Sequence, residues 1–313
     1  MPRAYTLSRG RASFGPSDRT AMCIAAPKGA VAIHKCECLS QEADVSNKPQ
    51  TIPDSDPESA VQWLRQARYV TVLTGAGVSA ESGVPTFRGG GGLWEGYRIE
   101  DVASPEGFAR NPRLVWEFYN GRRARLAQVQ PNAGHIALAT MEKHLGRQRF
   151  ALVTQNVDGL HQRAGSTDVI ELHGSLLRTR CTGCGRCEDR NFETLPDLPR
   201  CQHCGALLRP DVVWFHEMLP ADAWERAEQA TRRADLFFSI GTSAVVYPAA
   251  ALIYLAHERG ARVIEINIER TEASAVADLG FYAPSGQVLP LLIERAFGTA
   301  ADMKAPNQTE AQP

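Results

Sequence analysis

Cys181-Thr-Gly-Cys184 and Cys201-Gln-His-Cys204 form two C-x-x-C pairs with sixteen residues, 185–200, between them. Four thiolates at that spacing make a closed tetrahedral zinc set. A metal with four protein ligands keeps no position for water, so its role is structural, not catalytic. Cys187 and His203 are spare ligands in the same stretch, Cys187 the stronger competitor. Upstream, Thr154-Gln155-Asn156-Val157-Asp158 directly follows an apolar run, and its Asn and Asp can hydrogen-bond a carboxamide and sugar hydroxyls. The same residues also read as a capped turn. His173-Gly174 ends the next apolar run, where an imidazole is placed to act as a general base near neutral pH. Taken alone, a histidine is more often structural.

A glycine-rich turn, Thr74-Gly75-Ala76-Gly77-Val78-Ser79-Ala80-Glu81-Ser82-Gly83, leaves the apolar run Tyr69–Leu73. Gly75 and Gly77 let the backbone turn sharply and approach a pyrophosphate, whose charge a following helix N-terminus stabilises. The third glycine arrives too late for the regular dinucleotide fingerprint, so a simple tight turn is the competing reading. Pro85-Thr86-Phe87-Arg88, followed by Gly89 to Gly92, reads as a mobile loop carrying one cation suited to phosphate. Asn267 and Glu269 lie at the end of the run Val263–Ile268, where ribose hydroxyls are held in dinucleotide folds. Gly241-Thr242-Ser243 ends the run before it, with small residues and two hydroxyls near the same crevice.

These motifs need a scaffold that brings strand ends together. Strand-length runs at Tyr69–Leu73, Phe150–Val153, Val169–Leu172, Leu236–Ile240 and Val263–Ile268 alternate with helical stretches. The helical stretches are Ser59–Arg68, Pro112–Gln128, Asn132–Leu145, Ala221–Arg233, Tyr247–Arg259 and Val288–Phe297. That alternation predicts an α/β fold, a Rossmann-like doubly wound parallel sheet, with ligands beyond the carboxyl ends of its strands. Residues 1–57 lack periodicity and read as a disordered extension and linker. Cys23, His34, Cys36 and Cys38 lie in it, but Cys36-Glu-Cys38 is not a usual zinc spacing. The expected catalytic domain is 58–297, and the polar tail 298–313 is expected to be unstructured.

Hydrophobic residues make up 43% and charged residues 22% of the 313, with a net charge of −1. No global basic field points to nucleic acid or an anionic membrane. The longest apolar stretch, Ser243–Ala256, is broken by Pro248 and falls short of the ~20 residues of a membrane span. With four of the eight cysteines spaced for metal and no visible signal-peptide core, a reducing, cytoplasmic setting is expected. The mitochondrial alternative rests on residues 1–17, which hold three arginines and no acid.

In this order and combination the motifs resemble the sirtuins, NAD-dependent protein lysine deacylases, over about residues 58–297. The resemblance implies a Rossmann-type large domain, with a helical insertion at about 84–130 and a zinc ribbon at about 175–212 forming a smaller one. The cofactors implied are one structural Zn2+ and NAD+ as cosubstrate; the partners implied are acylated-lysine proteins or peptides, lying between the two domains. NAD contacts are implied for Gly75, Ala76, Gly77, Ser79, Glu81, Phe87, Arg88, Trp94, Gln155, Asn156, Val157, Asp158, Gly241, Thr242, Ser243, Asn267, Ile268, Glu269 and Ser285. Catalytic roles fall to His173 and Asn156, and peptide contacts to Val213 and Phe215. The implied chemistry is attack of the acyl-lysine carbonyl oxygen on the nicotinamide ribose. His173 then acts as base on a ribose hydroxyl, and the products are free lysine, nicotinamide and O-acyl-ADP-ribose. Proximity of the reacting atoms is what such a displacement needs.

Trp116-Glu-Phe-Tyr119-Asn-Gly-Arg122-Arg123 resembles the desuccinylase and demalonylase type within that family. Tyr119 and Arg122 share a helix face, so a guanidinium and a phenol could grip an acyl carboxylate together. Gly90 matches a small residue in those relatives, leaving space for a longer acyl chain. Predominant deacetylation and mono-ADP-ribosyl transfer remain the rival activities. One departure stands out: Val212-Val213-Trp214-Phe215-His216-Glu217 resembles the peptide-binding segment, where the family has glycine at the place of His216. A bulky residue there is expected to narrow or reshape peptide entry.

Overall fold

A computed structural model describes residues 56–86 and 93–298, together with the backbone of His34 and Lys35. Phe87, Arg88, Gly90, the cysteines before position 56 and the C-terminal tail lie outside the described residues. So do the expectations of a disordered extension and tail.

The central sheet has six parallel strands in the order Leu279–Tyr282, Arg262–Asn267, Leu236–Ile240, Val70–Thr74, Phe150–Thr154 and Val169–Glu171. In chain order this is 3-2-1-4-5-6 read from the Val169 edge, the doubly wound arrangement of dinucleotide-binding folds. Its inner strands are buried on both faces, which is why they read as continuous apolar runs instead of alternating ones. The period of two still decides what packs where. Val72, Leu152, Phe238 and Ile264 face one layer with Leu138, Met141 and Leu289. Their neighbours Leu73, Val153, Phe237 and Val263 face the other, with Leu252 and Ile253. Each such side chain taken fully out of water stabilises the fold by roughly 1.5–3 kcal/mol.

Helices Pro57–Gln66, Ala133–Leu145 and Ser285–Phe297 cover the first face; Ala221–Arg233 and Ala251–Glu258 cover the second. The first helix starts where Asp56 accepts from the Glu58 and Ser59 amides, with Pro57 as its first residue. The predicted helix Tyr247–Arg259 begins only at Ala251. Val246 and Tyr247 pair instead with Lys35 and His34 as a short antiparallel ladder, and Pro248 has no N–H to give a helix interior. The strand Leu279–Tyr282 was not expected, because Gly280 interrupts a four-residue run.

A second lobe sits over the carboxyl end of the sheet. Helices Ile99–Val102, Pro105–Arg110 and Pro112–Leu126 follow a hairpin of Leu93–Trp94 with Tyr97–Arg98. A three-stranded antiparallel sheet, Cys187–Asp189, Gly174–Cys181 and Leu208–Val212, forms the ribbon. Helix Pro112–Leu126 binds it through buried side chains. Trp116 Nε1 donates to the Leu208 carbonyl at 2.9 Å, and Arg123 donates to the carbonyls of Leu176 and Glu193.

Candidate active site

The sheet order reverses between strands Val70–Thr74 and Leu236–Ile240, and each feeds a glycine-containing turn. The Gly75 amide donates to the Ile240 carbonyl, the Gly77 amide to that of Gly241, and the Gly241 amide to that of Ile266. The two turns therefore touch backbone to backbone. A Cβ on Gly77 would sit 2.7 Å from Gly241 Cα, and one on Gly241, at φ +59°, 2.4 Å from the Val78 nitrogen. Only glycine fits that approach, and it opens a backbone-lined floor at the switch point, where α/β sheets bind ligands. The helix that follows, Gly77–Ala80, is a single turn.

Above this floor lies a cleft of about 820 Å³ running between the lobes. The NAD positions expected from sequence line it: Gly75, Ala76, Gly77, Ser79, Glu81, Trp94, Gln155, Asn156, Val157, Asp158, Gly241, Thr242, Ser243, Asn267, Ile268, Glu269 and Ser285. His173, Tyr119, Arg122, Val213 and Phe215 line it too.

Asn156 and Asp158 are held by a buried network. Asn156 Nδ2 donates to the Gly75 carbonyl at 3.0 Å and to Ser79 Oγ at 3.2 Å, while Ser79 Oγ donates to Asp158 Oδ2 at 2.7 Å. The other Asp158 oxygen accepts from the Leu160 amide. His135 closes the network from behind. Its Nδ1 accepts from the Asn132 amide, so Nε2 carries the proton and donates to Ser79 Oγ at 3.3 Å. Burial drives the His135 pKa down to about 4 and that of its neighbour His161 to about 3. Both are neutral supports. His161 Nε2 lies 2.9 Å from Thr74 Oγ1, which donates to Thr154 Oγ1, the acceptor of the Asn156 amide.

Deeper in the cleft, His173 Nδ1 lies 2.9 Å from the Gln155 carbonyl oxygen. A carbonyl can only accept, so the proton is on Nδ1 and the lone pair is on Nε2. Nε2 is buried and has no hydrogen-bond partner among the described residues. Burial lowers the ring's pKa to about 4, against the opposing pull of the Gln155 carbonyl. A neutral imidazole with one fixed donor and one free acceptor is the arrangement of a general base.

The rest of the floor is tied together without blocking it. Gln155 Nε2 donates to Thr242 Oγ1 at 2.9 Å, and Asn267 Nδ2 to the Thr242 carbonyl at 2.9 Å. Glu81 accepts from the Gly286 amide at 2.8 Å and from Ser285 Oγ at 3.4 Å, joining the glycine-rich turn to helix Ser285–Phe297. Ile268 is 55% exposed, an apolar side chain at the rim.

On the opposite wall, Tyr119 is fully buried and its hydroxyl accepts from Trp214 Nε1 at 2.9 Å, keeping its own proton to donate. Burial raises its pKa to about 12, so it stays a phenol. Trp214 is itself clamped: Arg209 stacks 3.4 Å from its ring centroid and pairs with Glu217 through both carboxylate oxygens. Arg122, one helical turn from Tyr119, has a side chain only 9% exposed and lies 4.2 Å over the Trp94 ring. Its Nη1 is buried and without a hydrogen-bond partner among the described residues. His216 stands outside the cleft lining, next to Phe215. Its side chain is exposed, and its φ of +68° explains why a glycine suits the position.

The sulfurs of Cys181, Cys184, Cys201 and Cys204 lie within 4.8 Å of one another, and none is in a disulfide. Backbone amides of Gly183 and Cys184 point at the Cys181 sulfur, each at 3.4 Å. The Cys184 amide in particular holds that thiol below its ordinary range. Four converging thiols backed by amide donors fit a tetrahedral zinc ion. Cys187 stands outside the set, its sulfur 3.9 Å from Asp211 Oδ1, and His203 is not in the cluster either.

Three contributors were not singled out from sequence. Arg125 lines the cleft one turn beyond Arg122, a spacing legible in the helix. Asn132-x-x-His135 has the spacing of a capping box, the signal that would have found His135. Glu95 had no such signal.

A parallel sheet in dinucleotide-binding order, a glycine-floored switch point and a cleft imidazole with a free Nε2 define an α/β enzyme built around a nucleotide cosubstrate. Residues 75–248 match the Sir2 family. An NAD-dependent protein deacylase of Thermococcus kodakarensis is 49% identical over 243 residues, 75% of this chain and 94% of its own. One from Ralstonia nicotianae is 50% identical over 248 residues, 78% and 99% of the two chains. A crystal structure of a Sir2 homologue–NAD complex is 45% identical with a TM-score of 0.73, covering 78% of this chain and 94% of that one. A Sir2–p53 peptide–NAD+ complex, 32% identical, gives 0.68 over 77% and 98%. The chain belongs to the Sir2 family.

Proposed function

We propose that this chain removes negatively charged acyl groups, of the succinyl and malonyl kind, from lysine side chains, and acetyl groups as well. Its general activity is NAD-dependent protein lysine deacylation, with NAD+ as cosubstrate and a structural zinc ion. Cys181, Cys184, Cys201 and Cys204 would hold that ion, whose contribution is to fix the ribbon beside helix Pro112–Leu126.

The dinucleotide fits over the Gly75–Gly77 and Gly241 floor. Asn156 and Asp158, pinned by Ser79, offer a donor and an acceptor for the nicotinamide carboxamide and its ribose. Ribose hydroxyls at the adenosine end would meet Asn267 and Glu269, and the acyl-lysine would enter past Val213 and Phe215. In this reading Asn156 and His173 carry the chemistry. His173 takes a ribose hydroxyl proton on Nε2, and the Gln155 carbonyl stabilises the resulting imidazolium through Nδ1–H. Protein-peptide binding in this cleft draws support from the peptide carried by the related p53 complex.

One observation carries the acyl preference: a guanidinium more than nine-tenths buried, with an unused donor, stands beside a phenol with an unused proton. A buried donor without a partner is costly unless a ligand supplies one. An acyl carboxylate would accept from Arg122 Nη1 and from the Tyr119 hydroxyl together.

The test compares kcat/KM on succinyl-lysine and acetyl-lysine peptides for the wild type and Arg122→Met. A charge-assisted hydrogen bond contributes about 1.5–3 kcal/mol, so the succinyl value should fall by roughly 10- to 150-fold. The acetyl value should change far less. Equal losses on both substrates would make Arg122 a structural residue and leave deacetylation as the main activity.

A further inference from the structure

Glu95 is an odd residue in an odd place. The hairpin Leu93–Trp94 with Tyr97–Arg98 turns through Glu95 and Gly96, with φ of +50° and +88°. Two-residue turns with both φ positive favour Asn-Gly or Asp-Gly, whose first residue tolerates the left-handed region. Glutamate gains nothing there and costs about 1–2 kcal/mol of backbone strain. Such an outlier points to a job for the side chain.

The side chain folds back onto helix Pro112–Leu126 at the cleft wall. Its Oε1 lies 3.4 Å from Arg122 Nε, and its Oε2 contacts Arg125 Nη2. The carboxylate is 18% exposed, so solvent screens it only in part. Two guanidiniums share one carboxylate, and the trio carries a net +1. The pairing engages Arg122 on its Nε edge and leaves Nη1 open in the buried wall.

We propose that Glu95 sets the acyl selectivity of this site by tempering Arg122, a proposal that rests on Arg122 being the carboxylate reader. Glu95 is a positioning residue: it acts on substrate through Arg122 and not by touching the reacting atoms. A neutral acyl group entering the pocket leaves Arg122 paired, so no uncompensated buried charge is created. An anionic acyl group gains Nη1 but is repelled by a carboxylate already seated on the same guanidinium. Glu95 thus narrows the gap between the two substrate classes and lets one pocket serve both. Without it, two guanidiniums would face the acyl group and anionic substrates would be favoured far more strongly.

The experiment measures kcat and KM separately for succinyl-lysine and acetyl-lysine peptides on the wild type, Glu95→Gln, Glu95→Gly and Arg122→Met. Both Glu95 variants should raise the succinyl-to-acetyl ratio of kcat/KM by about tenfold, or about 1.4 kcal/mol. The gain should lie mainly in a lower KM for the succinyl peptide, which a merely structural defect would not produce. Glu95→Gly removes the backbone strain, so it reads the charge effect even if Glu95→Gln folds poorly. A ratio that stays level or falls in a folded Glu95 variant overturns the proposal. Arg122→Met separates the two ideas: an equal loss on both peptides removes the carboxylate reader itself. A selective loss there with a level ratio in the Glu95 variants removes Glu95's role alone.

Discussion

Mild acid should weaken this protein well above the pH at which its carboxylates titrate, because three cleft-side histidines are held neutral. His135 and His173 have folded pKa values of about 4 and His161 about 3, each lowered chiefly by burial. The geometry gives the same answer independently. A second proton on His135 would fall on Nδ1, which already faces the Asn132 amide donor. On His161 it would fall on Nδ1 and on His173 on Nε2, buried atoms with no partner among the described residues. In the unfolded chain each ring titrates near 6.5. The unfolded state therefore binds more protons than the folded one below that value. Stability present in full above pH 6.5 is lost as pH falls towards 4. By linkage each histidine forfeits about 2 kcal/mol at pH 5. Three together are comparable to the whole margin of a typical domain, ~5–15 kcal/mol.

Urea unfolding of the wild type and of His161→Gln between pH 7 and pH 4.5 reads this directly. The variant's stability should fall less steeply with acid, by up to one proton equivalent, about 1.4 kcal/mol per pH unit. Zinc release in acid is common to both proteins, since the four cysteines are untouched, and cancels in the difference. Carboxylates do not confuse the window. Hydrogen bonds and Arg68 hold Asp235 below its usual range, and Arg209 does the same for Glu217. Their contribution is present above the ordinary carboxylate values and is lost only lower, as pH falls through the depressed ones. Identical slopes in the two proteins, or a wild type whose stability stays flat from pH 7 to 5, would refute the reasoning.

Two further outcomes follow from backbone geometry. His216→Gly should raise the melting temperature by about 1–3 °C, because glycine adopts a φ of +68° freely while an exposed histidine there gains no packing; an unchanged or lower melting temperature in scanning calorimetry would show that the imidazole has a stabilising contact. Gly241→Ala should destabilise by roughly 2–4 kcal/mol and abolish the thermal shift on adding NAD+, since its Cβ would meet the Val78 nitrogen at 2.4 Å. A variant that melts within 1 °C of the wild type and still responds to NAD+ would show that the two turns do not need their close approach.

What the sequence disclosed and what it withheld divide along a physical line. Strands buried on both faces, such as Val70–Thr74 and Leu236–Ile240, print themselves as unbroken apolar runs, and the motifs at their ends inherit a position from the sheet. That is why Asn156, His173, Gly241 and Asn267 could be placed at one cleft before any coordinates. The ribbon was as legible, because metal geometry demands its cysteine spacing. Elements held by contacts instead of by pattern were not. Leu279–Tyr282 is a strand because Arg262–Asn267 offers it an edge, not because its own four residues alternate. The wall around Arg122 is the extreme case. Arg122 looks like a solvated helix arginine until the rings of Trp94 and Phe118 lie against its guanidinium, and Glu95 is an unfavourable residue in a tight turn until Arg122 is seen beside it. Chemistry shared by the whole family is fixed by strand ends and reads from the chain. The proposed selectivity depends on a charge that one hairpin delivers to the cleft wall, and that pairing exists only after folding.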